Sequence, residues 1–254
     1  MKKFMKSLAL IAVAAMGLTA CENSFDAQNV VEKKTYEISV DTEATRSVFG
    51  EKEDGVYPTL WSGNEVVKVS LAEADVQDAT LDAQKGTLTV ELAANATGTL
   101  YAVTPYNTTT NYSIGGFGKV NSTYHDFYVT IPVEQTPLAN SVDESAQLLF
   151  AECEVGSSMS MVFKHIAAYG KMTIKNFAHE IKQVVIVAPV EFVGASAYYY
   201  YSGDKENTIT NLKDNTLTLN AENVQNNVFW FTCAPIGDLT SNMTLVVTDS
   251  EGNT

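Results

Sequence analysis

The chain has 254 residues, 45% of them hydrophobic, with 16 Lys and Arg against 30 Asp and Glu, a formal net charge of −14. That balance excludes a charge-driven grip on nucleic acid, whose phosphates would be repelled, or on anionic lipid. The charges are spread rather than blocked, so no acidic tail is indicated.

The chain opens with Lys2, Lys3 and Lys6, then an uncharged run from Leu8 to Met16, then Leu18-Thr19-Ala20-Cys21. A basic start, a short apolar stretch and small residues at the cut read as a secretory signal peptide. The apolar run is too short to span a bilayer. Leu18 to Cys21 looks like a lipobox, so residues 1–20 are expected to be removed by lipoprotein signal peptidase. Acyltransferases would then load Cys21 with lipid, and two or more acyl chains hold a protein on a membrane stably, at about 0.8 kcal/mol per buried methylene.

Residues 21–34 are polar and patternless and read as a tether. Tyr36-Glu37-Ile38-Ser39-Val40 alternates apolar with polar, the period of a half-buried strand. Asp41 to Ser47 interrupts it, and Arg46 is the only basic residue between Lys34 and Lys52. Strands follow at Val66 to Leu71 and Thr99 to Pro105. Between them, Thr80 to Leu92 reads as a hairpin turning near Gln84 to Gly86. Asn107 to Asn121 reads as a long surface loop, Tyr124 to Pro132 as a strand, Glu134 to Glu144 as loop and Gln147 to Ala151 as a strand. Gly156-Ser157-Ser158 is the expected domain boundary. Beyond it, Ser160 to Tyr169 and Lys171 to Phe177 read as paired strands broken at Gly170. Further strands are expected at Lys182 to Ala188, Asn207 to Leu212, Asn215 to Leu219, Val228 to Ala234 and Met243 to Thr248.

Helical patterns are nearly absent, with short helices allowed only near Asp75 to Ala79 and Glu144 to Leu148. Turns recur every 8–12 residues or so, which indicates an all-β chain of antiparallel sandwiches. Asp249-Ser250-Glu251-Gly252-Asn253 carries hairpin chemistry. A return strand should follow, so the second sandwich is expected to be incomplete at its C-terminus.

Residues with catalytic chemistry do not assemble into a set. His125, His165 and His179 form no compact ligand motif. Gly115 to Lys119 fails as a phosphate loop, because Ser113 replaces the first glycine and Val120 follows the lysine. The Asp249 to Asn253 stretch has the oxygen-rich character of a weak calcium loop but reads first as a turn. No enzyme activity, cofactor or metal is expected. An exported compartment permits a disulfide between Cys153 and Cys233, though two separate buried thiols fit their apolar surroundings better. Trp61 and Tyr198, Tyr199, Tyr200 and Tyr201 are the candidate ligand-facing aromatics. Alternation along a strand would bury two of those four tyrosines.

Several of these features together resemble the fimbrillin family of Bacteroidales-type bacteria, the subunits and anchors of surface pili. They are the Leu18 to Cys21 lipobox, the strand Tyr36 to Val40, Ala44-Thr45-Arg46-Ser47-Val48-Phe49-Gly50, and Tyr57-Pro58-Thr59-Leu60-Trp61-Ser62-Gly63-Asn64-Glu65. Met161 to Ala168 is also similar to the segment that opens the family's second domain. The resemblance implies two tandem transthyretin-like Greek-key β-sandwiches, here at 35–156 and 157–254. It implies an outer-membrane lipoprotein whose first strand is released by an arginine-specific protease, for which Arg46 is the matching position. The removable strand would carry Tyr36, Ile38 and Val40 as plugs. Another fimbrial subunit would then donate a strand into the groove, giving a cell-surface fimbrium that supports adhesion. A surface glycan-binding outer-membrane lipoprotein is the alternative that shares the lipobox, the acidity and the sandwiches.

Overall fold

The computed structural model describes residues 32–40, 48–49, 59–61, 63, 65–71, 76–105, 116–121, 124–201, 208–235 and 242–254. Among them the regular structure is all-β apart from one 3-10 turn, Glu144–Ala146, capped by Asp143, whose Oδ1 accepts from the Ser145 amide at 2.8 Å. The first strands are β1 (Lys33–Val40), β2 (Val48–Phe49), β3 (Thr59–Leu60), β4 (Val67–Leu71), β5 (Gln77–Asp82), β6 (Thr87–Ala93) and β7 (Thr99–Thr104). Next come β8 (Gly116–Asn121), β9 (Tyr124–Ile131), β10 (Glu134–Gln135), β11 (Leu149–Glu154), β12 (Met159–Met161) and β13 (Lys164–His165). The remainder are β14 (Ala168–Thr173), β15 (Ile181–Val187), β16 (Gly194–Tyr201), β17 (Thr208–Thr210), β18 (Thr216–Asn220), β19 (Val228–Cys233) and β20 (Thr244–Asp249).

Eight strands form one sheet in the order β12-β1-β6-β5-β4-β7-β11-β13. The β5–β6 hairpin turns at 83–86 as its sequence predicts, with Gly86 at φ +64°. β5 is shared end to end: Gln77 to Ala79 pair with β4, and Thr80 to Asp82 pair with β6. A strand that changes partners midway is how one sheet folds over into two facing layers. Both layers fill one core, with Tyr36, Ile38, Val40, Leu88, Val90 and Leu92 on one side. Val67, Val69, Leu100, Ala102, Leu149 and Ala151 face them from the other.

A second core lies on the opposite face of β7 and β11. Tyr101, Val103 and Phe150 turn into it, while Leu100, Ala102 and Leu149 turn into the first. Alternation therefore makes these two strands apolar throughout their paired centre, and β7 is buried at every position from Leu100 to Thr104. Three smaller sheets complete the second core: β10-β18-β15-β20, β14-β19 and β17-β16-β9-β8. Buried Gln135 stitches two of them, its Nε2 donating to the Thr232 carbonyl at 2.8 Å and its Oε1 accepting from the Thr232 amide at 2.8 Å. Cys153 borders the first core and Cys233 lies in the second, both as free thiols. Burial pushes each up to about 11, so neither carries thiolate reactivity at neutral pH.

The boundary expected at Gly156 is crossed by pairing. β12 lies beside β1, and β16 lies beside β9, so residues after 156 complete sheets begun before it. Met159, Met161 and Phe163 belong to the first core, and residues Lys33–Thr254 form one compact unit. Gly116 to Asn121, expected within a loop, is strand β8, drawn into extended form by β9. Gln77 to Ala79, where a helix was allowed, pairs with β4. Gly170 does not break its strand either. β14 runs through it and pairs with β19, not with the residues before it. Its role is to make room: a Cβ there would stand 2.0 Å from the Phe231 Cζ, so the ring covers the bare glycine backbone. On the adjacent rung the Lys171 ammonium sits 4.6 Å from the centre of the Trp230 ring.

His165, opposite Leu149 on β11, shows how the fold tolerates a half-buried histidine. Burial pushes the imidazole down to about 4, so it is neutral, and its Nδ1 shares a hydrogen bond with the Tyr169 hydroxyl at 2.6 Å.

Two predictions follow from this packing. Gly170→Ala is expected to destabilise the fold by about 1–3 kcal/mol through overpacking against Phe231, read from urea midpoints. The combined Gly170→Ala, Phe231→Ala variant should be less unstable than the sum of its parts. For His165, an unfolded imidazole near 6.5 and a folded one near 4 mean that the unfolded chain binds the extra proton between those values. Stability is therefore full above pH 6.5 and falls as pH drops towards 4. Between pH 7 and 5 the native chain should lose roughly 1–2 kcal/mol more than His165→Gln.

Candidate functional site around the first strand

β1 is an interior strand made from an alternating sequence. Its residues Tyr36, Ile38 and Val40 are buried, while Lys34, Thr35, Glu37 and Ser39 face solvent. That is the pattern the sequence predicts, and the three expected plugs all point into one core. Along one side β1 runs antiparallel to β6 with seven paired residues, from Lys33 opposite Ala93 to Ser39 opposite Thr87. Along the other it runs parallel to β12, with Ile38, Ser39 and Val40 opposite Met159, Ser160 and Met161.

Both ends of the strand are held. The Val40 amide donates to the Gly86 carbonyl at 2.8 Å, tying the strand's exit to the β5–β6 turn. A Cβ on Gly86 would lie 3.4 Å from the Val40 carbonyl oxygen at a φ that side chains rarely adopt, so glycine fits this close approach. At the entry, the Tyr36 hydroxyl donates to the Ala94 carbonyl at 3.4 Å, and the Lys34 ammonium lies 4.9 Å from the Tyr36 ring centre.

The sequence reading missed the strand's second neighbour. Met161 to Ala168 reads from sequence as the opening of a new domain, whereas Met159 and Met161 flank β1 and Phe163 closes the same core. The Met-Ser-Met alternation carried the signal, but a three-residue parallel pairing has no local marker. Trp61 meets Phe163 edge to face, with ring centres 5.3 Å apart, so it packs beside the first core and is half-buried. Its indole N–H is buried and finds no hydrogen-bond partner among the described residues.

Tyr198 to Tyr201 lie on β16, which is paired on both sides: Tyr198 stands opposite Phe127 and Ile209, and Tyr201 opposite Tyr124. Cys21 and Arg46 lie outside the described residues.

The chemistry available at β1 is that of strand recognition. Main-chain hydrogen bonds on two sides supply attachment, and alternate apolar side chains fix the register. Ile38→Ala should destabilise by about 2–5 kcal/mol, since it empties a fully buried site. Glu37→Ala, one residue away and exposed, should stay within about 0.5 kcal/mol; equal losses at both positions would contradict the register. A scan against models of protein families finds no match for this chain, and searches of curated proteins and of solved structures find none either.

Proposed function

We propose that this chain is a lipid-anchored, non-enzymatic structural subunit of a surface fimbrium on the outer membrane, which assembles by exchange of its first strand. The observation that carries this reading is the seat of β1, an N-terminal strand bounded by β6 and β12 with three side chains plugged into the core. Removing it leaves a groove with a free main-chain edge on each side. A donor strand running in the β1 direction would regain the antiparallel pairs with β6 and the parallel pairs with β12.

Magnitudes support a driven exchange. Burying Tyr36, Ile38 and Val40 contributes about 1.5–3 kcal/mol each. Their sum is comparable to the whole stability of an ordinary domain, about 5–15 kcal/mol. An uncut chain therefore keeps its groove filled, and a chain that has lost the strand needs a replacement to stay folded. Cleavage after Arg46, six residues beyond Val40, would separate β1 from the rest of the chain. The partners in this reading are an arginine-specific protease and other fimbrial subunits, with the lipid on Cys21 holding the chain at the membrane until the cut, which leaves Cys21 on the released side with β1, and adhesion as the outcome. The inward packing of Trp61 on Phe163 counts against a sugar-stacking platform there.

The test is limited digestion with an arginine-specific protease, followed by intact mass and a native gel in the presence of a peptide matching Lys33 to Val40. The expected result is one cut after Arg46, with the peptide exchanging into the cut protein. The same peptide with Asp at the Ile38 position should fail. A protein resistant at Arg46, or one that takes up both peptides equally, would contradict the proposal.

A further inference from the structure

The end of β20 meets the segment ahead of β15, because the two strands pair antiparallel with Ile181 opposite Asp249. The contact continues one step further, where the Ser250 amide donates to the Glu180 carbonyl at 2.9 Å. This brings His179, seventy residues away in sequence, beside the turn that carries Asp249 and Glu251. One ligand atom from each of the three residues lies within 4.8 Å of the other two. His179 Nδ1 and Glu251 Oε1 stand 3.9 Å apart, too far to hydrogen-bond to each other.

We propose that His179, Asp249 and Glu251 form a binding site for a divalent first-row transition ion of the zinc class. The Asp249 carboxylate is buried and held in a fixed orientation. Its Oδ1 accepts from the amides of Glu251 at 2.9 Å and Asn253 at 2.8 Å, and its Oδ2 accepts from Asn253 Nδ2 at 2.9 Å. Three donors leave the carboxylate lone-pair capacity for a cation, and hydrogen bonds of this kind orient metal-bound carboxylates. His179 and Glu251 are exposed, so their side chains are free to rotate inwards to zinc bond lengths of about 2.0–2.2 Å. Two carboxylates balance a divalent charge, and water completes the shell on the open side. The imidazole sets the selectivity: calcium and magnesium favour oxygen ligands alone, whereas nitrogen with carboxylate suits zinc and its neighbours. An ion here would clamp the turn after β20 to the entry of β15 and so fasten an edge strand of the second core. The inference does not depend on strand exchange at β1.

The experiment uses the full chain freed of metal with a chelator, titrated with zinc chloride by calorimetry, with thermal midpoints read in parallel. One equivalent should bind, and the midpoint should rise with zinc concentration. His179→Gln should weaken binding at least tenfold and abolish the rise, and Glu251→Gln should do the same. Both positions are exposed, so both variants should fold, as far-ultraviolet circular dichroism will check. Calcium chloride at equal concentration should give little or no rise. No zinc-dependent rise, an undiminished rise in either variant, or an equal response to calcium would overturn the assignment.

Discussion

The double burial of β7 and β11 is the constraint on which the rest of the fold depends. Each strand must be apolar on both faces, because one face closes the first core and the other opens the second. A strand with a solvated face would leave one of the cores open. This sharing explains why residues Lys33–Thr254 form one compact unit with two hydrophobic centres. It also separates their fates locally. The core that contains β1 draws on residues between Tyr36 and Phe163, and strand exchange there would reach the second core through the shared strands β7 and β11.

Within the first core, β1 is distinguished by what surrounds it. Its two neighbours differ in direction and length, with seven residues paired on one side and three on the other. The long antiparallel ladder to β6 sets the register, while the short parallel contact to β12 closes the groove. The alternating side chains make the register unforgiving, since a slip of one residue would drive Glu37 and Ser39 inwards and Ile38 out. A strand held this way is selected by its side-chain pattern as well as by main-chain hydrogen bonding.

Much of this was legible from local pattern. The alternation of Tyr36, Ile38 and Val40, the β5–β6 hairpin and the apolar runs of β15, β19 and β20 all read directly, because period and turn chemistry act between near neighbours. The parts that did not read depend on distant partners. Gly170 looks like a break until Phe231, sixty-one residues later, is seen to cover it. Gly156 to Ser158 looks like a linker until Met159 and Met161 are seen to rejoin β1. Gly116 to Asn121, rich in turn formers, becomes a strand through its pairing with β9. The approach of His179 to Asp249 and Glu251 is likewise set by the β15–β20 register rather than by any motif. Trp61, a candidate platform by composition, became a packing residue once Phe163 was placed.

The most direct measurement of the central claim, that β1 is a separable plug completing the first core, is amide hydrogen exchange along β6 and β12 before and after β1 is stripped from the cut protein. The account predicts strong protection of both strands while β1 is present, a loss confined to residues 87–93 and 159–161 once it is gone, and recovery when a matching strand is supplied. Unchanged protection in β6 and β12 after removal, or loss of protection spreading at once through β15 and β18, would contradict it.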